Sequence, residues 1–357
     1  MKNVIVTKYL NVRVGQPSLS APCYQYLAPG SKLETDGFSY KGDRFEGIDD
    51  WLRDEAGNYY WSGGVVPQAI AELNRPDYWF NQLGISDIWN TFDEKGERAR
   101  VLVLDSGINE FLPVFTGAIL KQLNFAEDSK DMFSNDRDCH GTHCAGLIAA
   151  RSSHHKVGVA PEAKLLIGKI SENGYLNDGG AIRKALEEFL KPEYDFDIIS
   201  ISATIIQEDL EMKSLMDEHL KKNRIIVAAI GNDASSKNSK FKRYPGYFDN
   251  CIAVGACESN LSISPYTYSP EKVTTFCYGS AVGSFRKHHF PETLSGTSQA
   301  TAVVSGICAL LISYLKKRNI PFDQEFIRQL LMTQVDPLSN FPGGAINPKL
   351  LFNHLTK

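Results

Sequence analysis

The sequence predicts an open, doubly wound α/β sheet, mostly parallel, preceded by a small all-β barrel. Three observations predict it. Continuous apolar strands such as Val101–Leu104 recur from residue 98 onward, helices with one apolar face alternate with them, and residues 1–66 instead hold short strands broken by glycines. A strand buried on both faces reads as an unbroken apolar run, which marks a parallel sheet covered by helices. Alternation of strand and helix then gives the doubly wound arrangement.

In chain order, Val4–Val6, Leu10–Val14, Lys32–Thr35, Phe45–Ile48 and Asn58–Trp61 are expected as strands, separated by Gly15, Gly30, Gly37, Gly42 and Gly57. Leu10-Asn11-Val12-Arg13, Trp51 and the run from Gly57 through Tyr59-Tyr60-Trp61 to Gly64 resemble a bacterial SH3-type domain. That resemblance implies an SH3-like barrel over 1–66 that binds a peptide or partner, packs as a scaffold, or covers the active site. Residues 67–97 are expected as a connector, with Asn74-Arg75-Pro76 as a candidate processing site and Tyr78, Trp79, Phe80 and Trp89 as packing aromatics. Over 98–357 the expected strands are Val101–Leu104, Val157–Ala160, Lys164–Ile170, Asp197–Ser202, Ile225–Ile230 and Cys251–Ala256. Helices are expected at Ala181–Leu190, Glu208–Leu220, Ser298–Lys317 and Phe326–Met332.

Composition narrows the function classes. Hydrophobic residues at 43% and charged residues at 22% are those of a soluble globular protein, and 357 residues suffice for two domains. A net charge of −4 without a basic block speaks against nucleic acid. The apolar run Val303–Tyr314 is 12 residues, too short for a membrane span, and reads as a buried helix. Met1–Leu10 carries Lys2 and Lys8 and no apolar core of a signal peptide, so a cytoplasmic location is expected unless a leader has been removed. Seven scattered cysteines with no paired CxxC motif fit a reducing compartment and no zinc site.

Three motifs sit at element ends, where such sheets place their active sites. Asp105-Ser106-Gly107 ends a buried strand; it is either a turn or a carboxylate placed to orient an imidazole. His140-Gly141-Thr142-His143-Cys144-Ala145-Gly146 opens a small-residue helix, with His140 at its start as candidate general base and His143 as a structural residue. Two histidines three apart also raise a metal site, but no acidic third ligand follows at helical spacing. Gly296-Thr297-Ser298 enters a long apolar helix, and Ser298 is either its N-cap or a nucleophile beside free backbone N–H groups.

The order Asp, His, Ser with these flanking residues resembles the subtilisin-like serine protease family, as does Val227-Ala228-Ala229-Ile230-Gly231-Asn232. Gly158-Val159-Ala160-Pro161, Tyr244-Pro245-Gly246 and Ile252–Ala256 add to the likeness. It implies a serine endopeptidase acting on proteins or peptides through Asp105, His140 and Ser298, with Asn232 in the oxyanion hole and no catalytic cofactor. It also implies structural calcium, to which no ligands can be assigned, the acidic stretch Asp128, Asp131, Asp136 and Asp138 reading as a surface loop. Cys144 is expected beneath the histidine, giving sensitivity to mercurials, and Cys139 is expected to be exposed.

Departures from the family pattern keep other readings open. Gln299 stands where the family has methionine and Ala302 where it has proline, which raises peptide ligation or transpeptidation. Ser202-Ala203-Thr204-Ile205 replaces the family's Ser-Leu-Gly-Gly; with Gly231, residues Ser202, Ala203 and Thr204 are expected to line a reshaped substrate pocket that takes a small residue. The same departure is compatible with a catalytically silent peptide-binding or regulatory protein.

Overall fold

The computed structural model describes residues 2–27, 31–67, 77–127, 135–172, 174, 176–234, 241–287, 291–339 and 341–356. The chain divides into two compact units, Met1–Arg75 and Pro76–Lys357.

The first unit is all-β. Lys2–Val6 pairs antiparallel with Lys32–Thr35 and with Val65–Pro67. A five-stranded antiparallel sheet runs in the order Cys23–Leu27, Leu10–Val14, Asn58–Trp61, Ile48–Arg53, Tyr40–Phe45. Val4, Val6, Leu10, Val12 and Leu33 pack with Trp51, Tyr60 and Trp61 in one small core. Phe45–Ile48, expected as a strand, is instead the tip of a hairpin: Glu46 and Gly47 both have positive φ, 46° and 82°, and Phe45 faces Ile48 across the turn. Two residues with φ > 0 between paired strands make the tight turn that the right-handed strand twist favours.

The second unit is built on a nine-stranded sheet. Its strand order is Ile119–Asn124, Lys164–Lys169, Arg100–Asp105, Ile198–Ile201, Ile225–Ala229, Ile252–Cys257, Thr275–Tyr278, Gly344–Ile346, Val335–Pro337. All neighbours are parallel except the last pair. The apolar strands are apolar because both faces are covered. Val101 and Val103 join the core under helices His140–Ala149 and Thr297–Lys317, whereas Leu102 and Leu104 join the opposite core under Gly180–Glu188 and Leu210–Lys221. The helix of 210–221 starts on Asp209, whose carboxylate accepts the Met212 N–H at 2.9 Å.

Three further expectations are corrected. Val157–Ala160 is no strand; these buried residues close on the end of the helix before them, through Val159 N–H to Leu147 O and Ala160 N–H to Ile148 O. Residues 78–92, expected within a connector, form helices Tyr78–Gln82 and Ile85–Phe92 that belong to the second unit's core, with Trp79 and Phe80 fully buried. Asn74-Arg75-Pro76 lies outside the described residues. The helix at 297–317 runs 21 residues, well beyond the 12-residue apolar run, and is long and apolar enough to cross a membrane. Thr297 through Leu315 are buried in the unit, which identifies it as a core helix.

Candidate active site

The strand Arg100–Asp105 lies in the sheet interior and ends on Asp105, so its carboxylate emerges at the carboxyl edge of the parallel strands. The helix His140–Ala149 begins beside that edge. Its close approach depends on Gly141, where a Cβ would fall 2.2 Å from the Gly107 carbonyl and 3.1 Å from the Asp105 Cβ. The packing brings His140 Nδ1 to 2.7 Å from Asp105 Oδ1, which also accepts the Ser106 N–H at 2.7 Å. Burial works against the imidazolium, but the adjacent Asp105 carboxylate outweighs it and holds the His140 pKa well above 6.5. With Nδ1–H donated to Asp105, Nε2 is left as the proton acceptor.

Asp136 holds this junction together. Sequence reasoning took it for a surface acid; it is 7% exposed. Its Oδ1 accepts from Ser106 Oγ at 2.8 Å and Cys139 N–H at 2.7 Å, and its Oδ2 from Thr142 N–H at 2.6 Å and Thr142 Oγ at 2.5 Å. Ser106 Oγ in turn accepts the Gly141 N–H at 2.9 Å. One carboxylate therefore ties the residue after Asp105 to the first turn of the His140 helix, where its charge complements the free N–H groups. Burial raises the Asp136 carboxyl above the ordinary range in spite of these bonds. Lys169, fully buried, fixes the preceding segment by donating to the Asn135 carbonyl at 2.5 Å. The only signal in the sequence was an acid four residues before His140, within an acidic stretch. Asp128 and Asp131 lie outside the described residues.

Ser298 stands in the first turn of the helix Thr297–Lys317 and is 8% exposed. Its hydroxyl donates to the Ser202 carbonyl at 3.0 Å, and no hydrogen bond joins it to His140 in this conformation. Asn232 follows the strand Ile225–Ala229. Its amide oxygen accepts both the Thr297 N–H at 2.8 Å and the Thr297 hydroxyl at 3.0 Å, so its NH₂ group is the one left to donate.

His143 is a structural residue. Its Nε2–H is shared by the Val282 and Glu292 carbonyls, both at 3.1 Å, and burial depresses its pKa to about 3. Cys144 lies under the site, its Sγ 3.9 Å from His140 Nδ1 and 4.0 Å from the Ser298 carbonyl. Cys139, expected to be exposed, is buried, since it turns the chain into the helix at φ 65°. The ligand atoms of Asp105, His140 and Cys144 fall within 4.8 Å of one another, and no other such cluster occurs among the described residues. One oxygen, one nitrogen and one sulfur do not suit calcium, which takes six to eight oxygens.

His140, Ser298 and Asn232 share one cleft of about 520 Å³. Ser202, Ala203, Thr204 and Gly231 line it, and so do Asp233 and Arg243, which sequence reasoning missed. Ile205, on the same wall, is turned into the core, 3% exposed and bridged to Tyr244.

Comparison with known proteins bears on the family and the fold. The model of the subtilase family matches residues 96–348. The major intracellular serine protease of Bacillus subtilis (strain 168) is 30% identical over 260 residues, spanning 70% of this chain and 76% of that protein. An intracellular serine protease of Paenibacillus polymyxa is 29% identical over 264 residues, 71% of this chain and 78% of that one. Among solved structures, the prenylagaramide maturation protease PagA superposes with a TM-score of 0.65 at 23% identity, covering 77% of this chain and 99% of its own.

Proposed function

The chain belongs to the subtilase family, and from that premise we propose that it is a serine endopeptidase with Asp105, His140 and Ser298 as its catalytic triad. The observation that carries the reading is the 2.7 Å contact of His140 with Asp105 in a cleft that also holds Ser298 and Asn232. The Ser298 hydroxyl swings from the Ser202 carbonyl to His140 Nε2 and adds to the substrate carbonyl carbon as its proton passes to the imidazole. The Asp105 carboxylate keeps Nδ1 protonated and stabilises the imidazolium that forms. The Asn232 NH₂ group and the Ser298 backbone N–H bind the developing oxyanion, and one such donor is worth about 3–4 kcal/mol of barrier. His140 then returns its proton to the leaving amine as the C–N bond breaks, and water hydrolyses the ester on Ser298 in a second, mirrored addition.

The substrates are proteins or peptides. The relatives from Bacillus subtilis and Paenibacillus polymyxa are intracellular proteases by name, which supports a cytoplasmic location for this chain. The all-β unit is read as an SH3-type module that binds a peptide or partner, on the support of its two antiparallel sheets around Trp51, Tyr60 and Trp61.

The test is a fluorophosphonate probe on the purified protein beside Ser298→Ala. Labelling of the first alone is expected. Absence of labelling in both would favour a silent binding protein, and release of amide rather than acid products with added amine would favour a ligase.

A further inference from the structure

The cleft contains a buried cation with hydrogen bonds to spare. Arg243 lines it and is 3% exposed. Its Nε donates to Asp233 Oδ2 at 2.5 Å, whereas Nη1 is buried with no acceptor among the described residues. A guanidinium presents two edges. Asp233 takes the side edge at Nε, and the end edge remains free. Leaving a buried charged donor unpaired is costly, and the cost grows when a substrate fills the cleft and expels water.

The fold sets the stem of this cation against the Gly231 side of the cleft. Gly231 and Asn232 form one wall, and Gly231, at φ +106°, lies against the Arg243 stem: a Cβ there would come 2.9 Å from Arg243 Cγ. Ser202, Ala203 and Thr204 form the facing wall, fastened to the Arg243 segment by the Ile205–Tyr244 bridge. A peptide carbonyl held between Ser298 and Asn232 sends its own residue's side chain between these walls. Asp138, the cleft's other carboxylate, belongs to a different segment and packs beside Gly174. Asp233 is already engaged by Arg243.

We propose that the cleft selects an aspartate or glutamate as the residue whose carbonyl is attacked, with Arg243 as the specificity-determining cation. The proposal rests on the peptidase reading above and names the substrate class of that site. A carboxylate supplies the fork's free edge with acceptors, whereas an alkyl or basic side chain leaves that edge desolvated and without an acceptor.

The full-length protein is assayed on fluorogenic peptides that differ only at this residue: Glu, Asp, Gln, Asn, Ala, Phe and Lys. Charge-assisted bonds of this kind predict kcat/KM for Glu or Asp about 10–100-fold above Ala. In Arg243→Gln and Arg243→Met the ratio of Glu to Ala within each variant should fall to near one. Equal or better cleavage after Ala, Phe or Lys overturns the proposal, as does a ratio that survives both substitutions. Gln and Asn equalling Glu and Asp also overturns it, since charge would then play no part. Binding of labelled peptides with Glu or Ala at this position to Ser298→Ala separates the two readings. Tighter binding of the Glu peptide by a protein whose unsubstituted form cuts nothing would keep the Arg243 selectivity and remove the peptidase. Cleavage without acidic preference would do the reverse.

Discussion

Ser298 and Ser202 exchange hydrogen bonds: the Ser298 hydroxyl donates to the Ser202 carbonyl at 3.0 Å, and the Ser202 hydroxyl donates to the Ser298 carbonyl at 3.1 Å. The candidate nucleophile is thus parked on the cleft residue that follows the strand Ile198–Ile201, and the start of its helix is pinned to the same residue. The parking bond is to a backbone oxygen, so no side-chain change at 202 removes it; the pinning bond is Ser202's own.

Ser202→Ala therefore tests the pin alone. One neutral buried hydrogen bond contributes about 1 kcal/mol. For a unit of this size that corresponds to a melting temperature lower by about 2–4 °C. Peptidase turnover should fall less than tenfold, because His140 and Asn232 are untouched. A loss as large as that of Ser298→Ala would mean that the Ser202 hydroxyl takes part in the chemistry.

The raised pKa of His140 sets opposite pH trends for activity and stability. The general base must be neutral, so kcat/KM should rise with pH through a value above 6.5. Stability behaves in reverse. A histidine whose folded pKa exceeds its unfolded one stabilises fully below the unfolded pKa, and that stabilisation is lost as pH rises through the folded value. Asp105→Asn should move the activity limb to lower pH, flatten this part of the stability profile and cut kcat by about 10⁴, as the same change does in another triad enzyme. Rate profiles and urea midpoints across pH 5–9 measure both; an unmoved limb in Asp105→Asn would show that another group titrates.

Asp136→Ala should destabilise by about 3 kcal/mol or more, since Ser106, Cys139 and Thr142 lose an ionised acceptor and buried donors cost about 1–3 kcal/mol each when unpaired. Asp136→Asn keeps the shape but turns an NH₂ group toward N–H donors, so it should recover little. Denaturant unfolding reads the stability. As a positioning residue, Asp136 should also lower kcat more than it raises KM, and a variant that loses stability with kcat intact would confine it to the fold.

How much of this was legible in the sequence depends on distance along the chain. Asp105, His140, Ser298 and Asn232 each carry a local motif, because each needs a glycine or a small neighbour at a strand or helix end: Gly141 for the approach to Gly107, Gly231 for its positive φ. The alternating strands and helices were legible for the same reason, as burial on both faces leaves an apolar run. Asp136 was not legible, because an acid within an acidic stretch has the composition of a surface loop and only the tertiary structure shows its donors. Arg243 was not legible either, since no local motif marks it and only the tertiary structure shows its contacts with Asp233 and Gly231. Val157–Ala160 misled because an apolar run without periodicity can equally close over a helix end.

Asn232 offers the sharpest separation of roles, since its oxygen and its nitrogen do different work. The oxygen caps the Thr297 N–H and hydroxyl; the NH₂ group is the proposed oxyanion donor. Asn232→Ala removes both, so its loss of activity would mix a displaced helix start with a lost donor. Asn232→Asp keeps the two acceptor bonds to Thr297 and replaces only the donor, with an oxygen that repels the oxyanion. If the donor reading is right, kcat in Asn232→Asp should fall by at least about 10²–10³ with KM little changed, the range seen when one oxyanion donor is removed. Its melting temperature should stay above that of Asn232→Ala. A kcat near that of the unsubstituted protein would assign Asn232 to the helix cap alone and leave the oxyanion to the backbone N–H of Ser298.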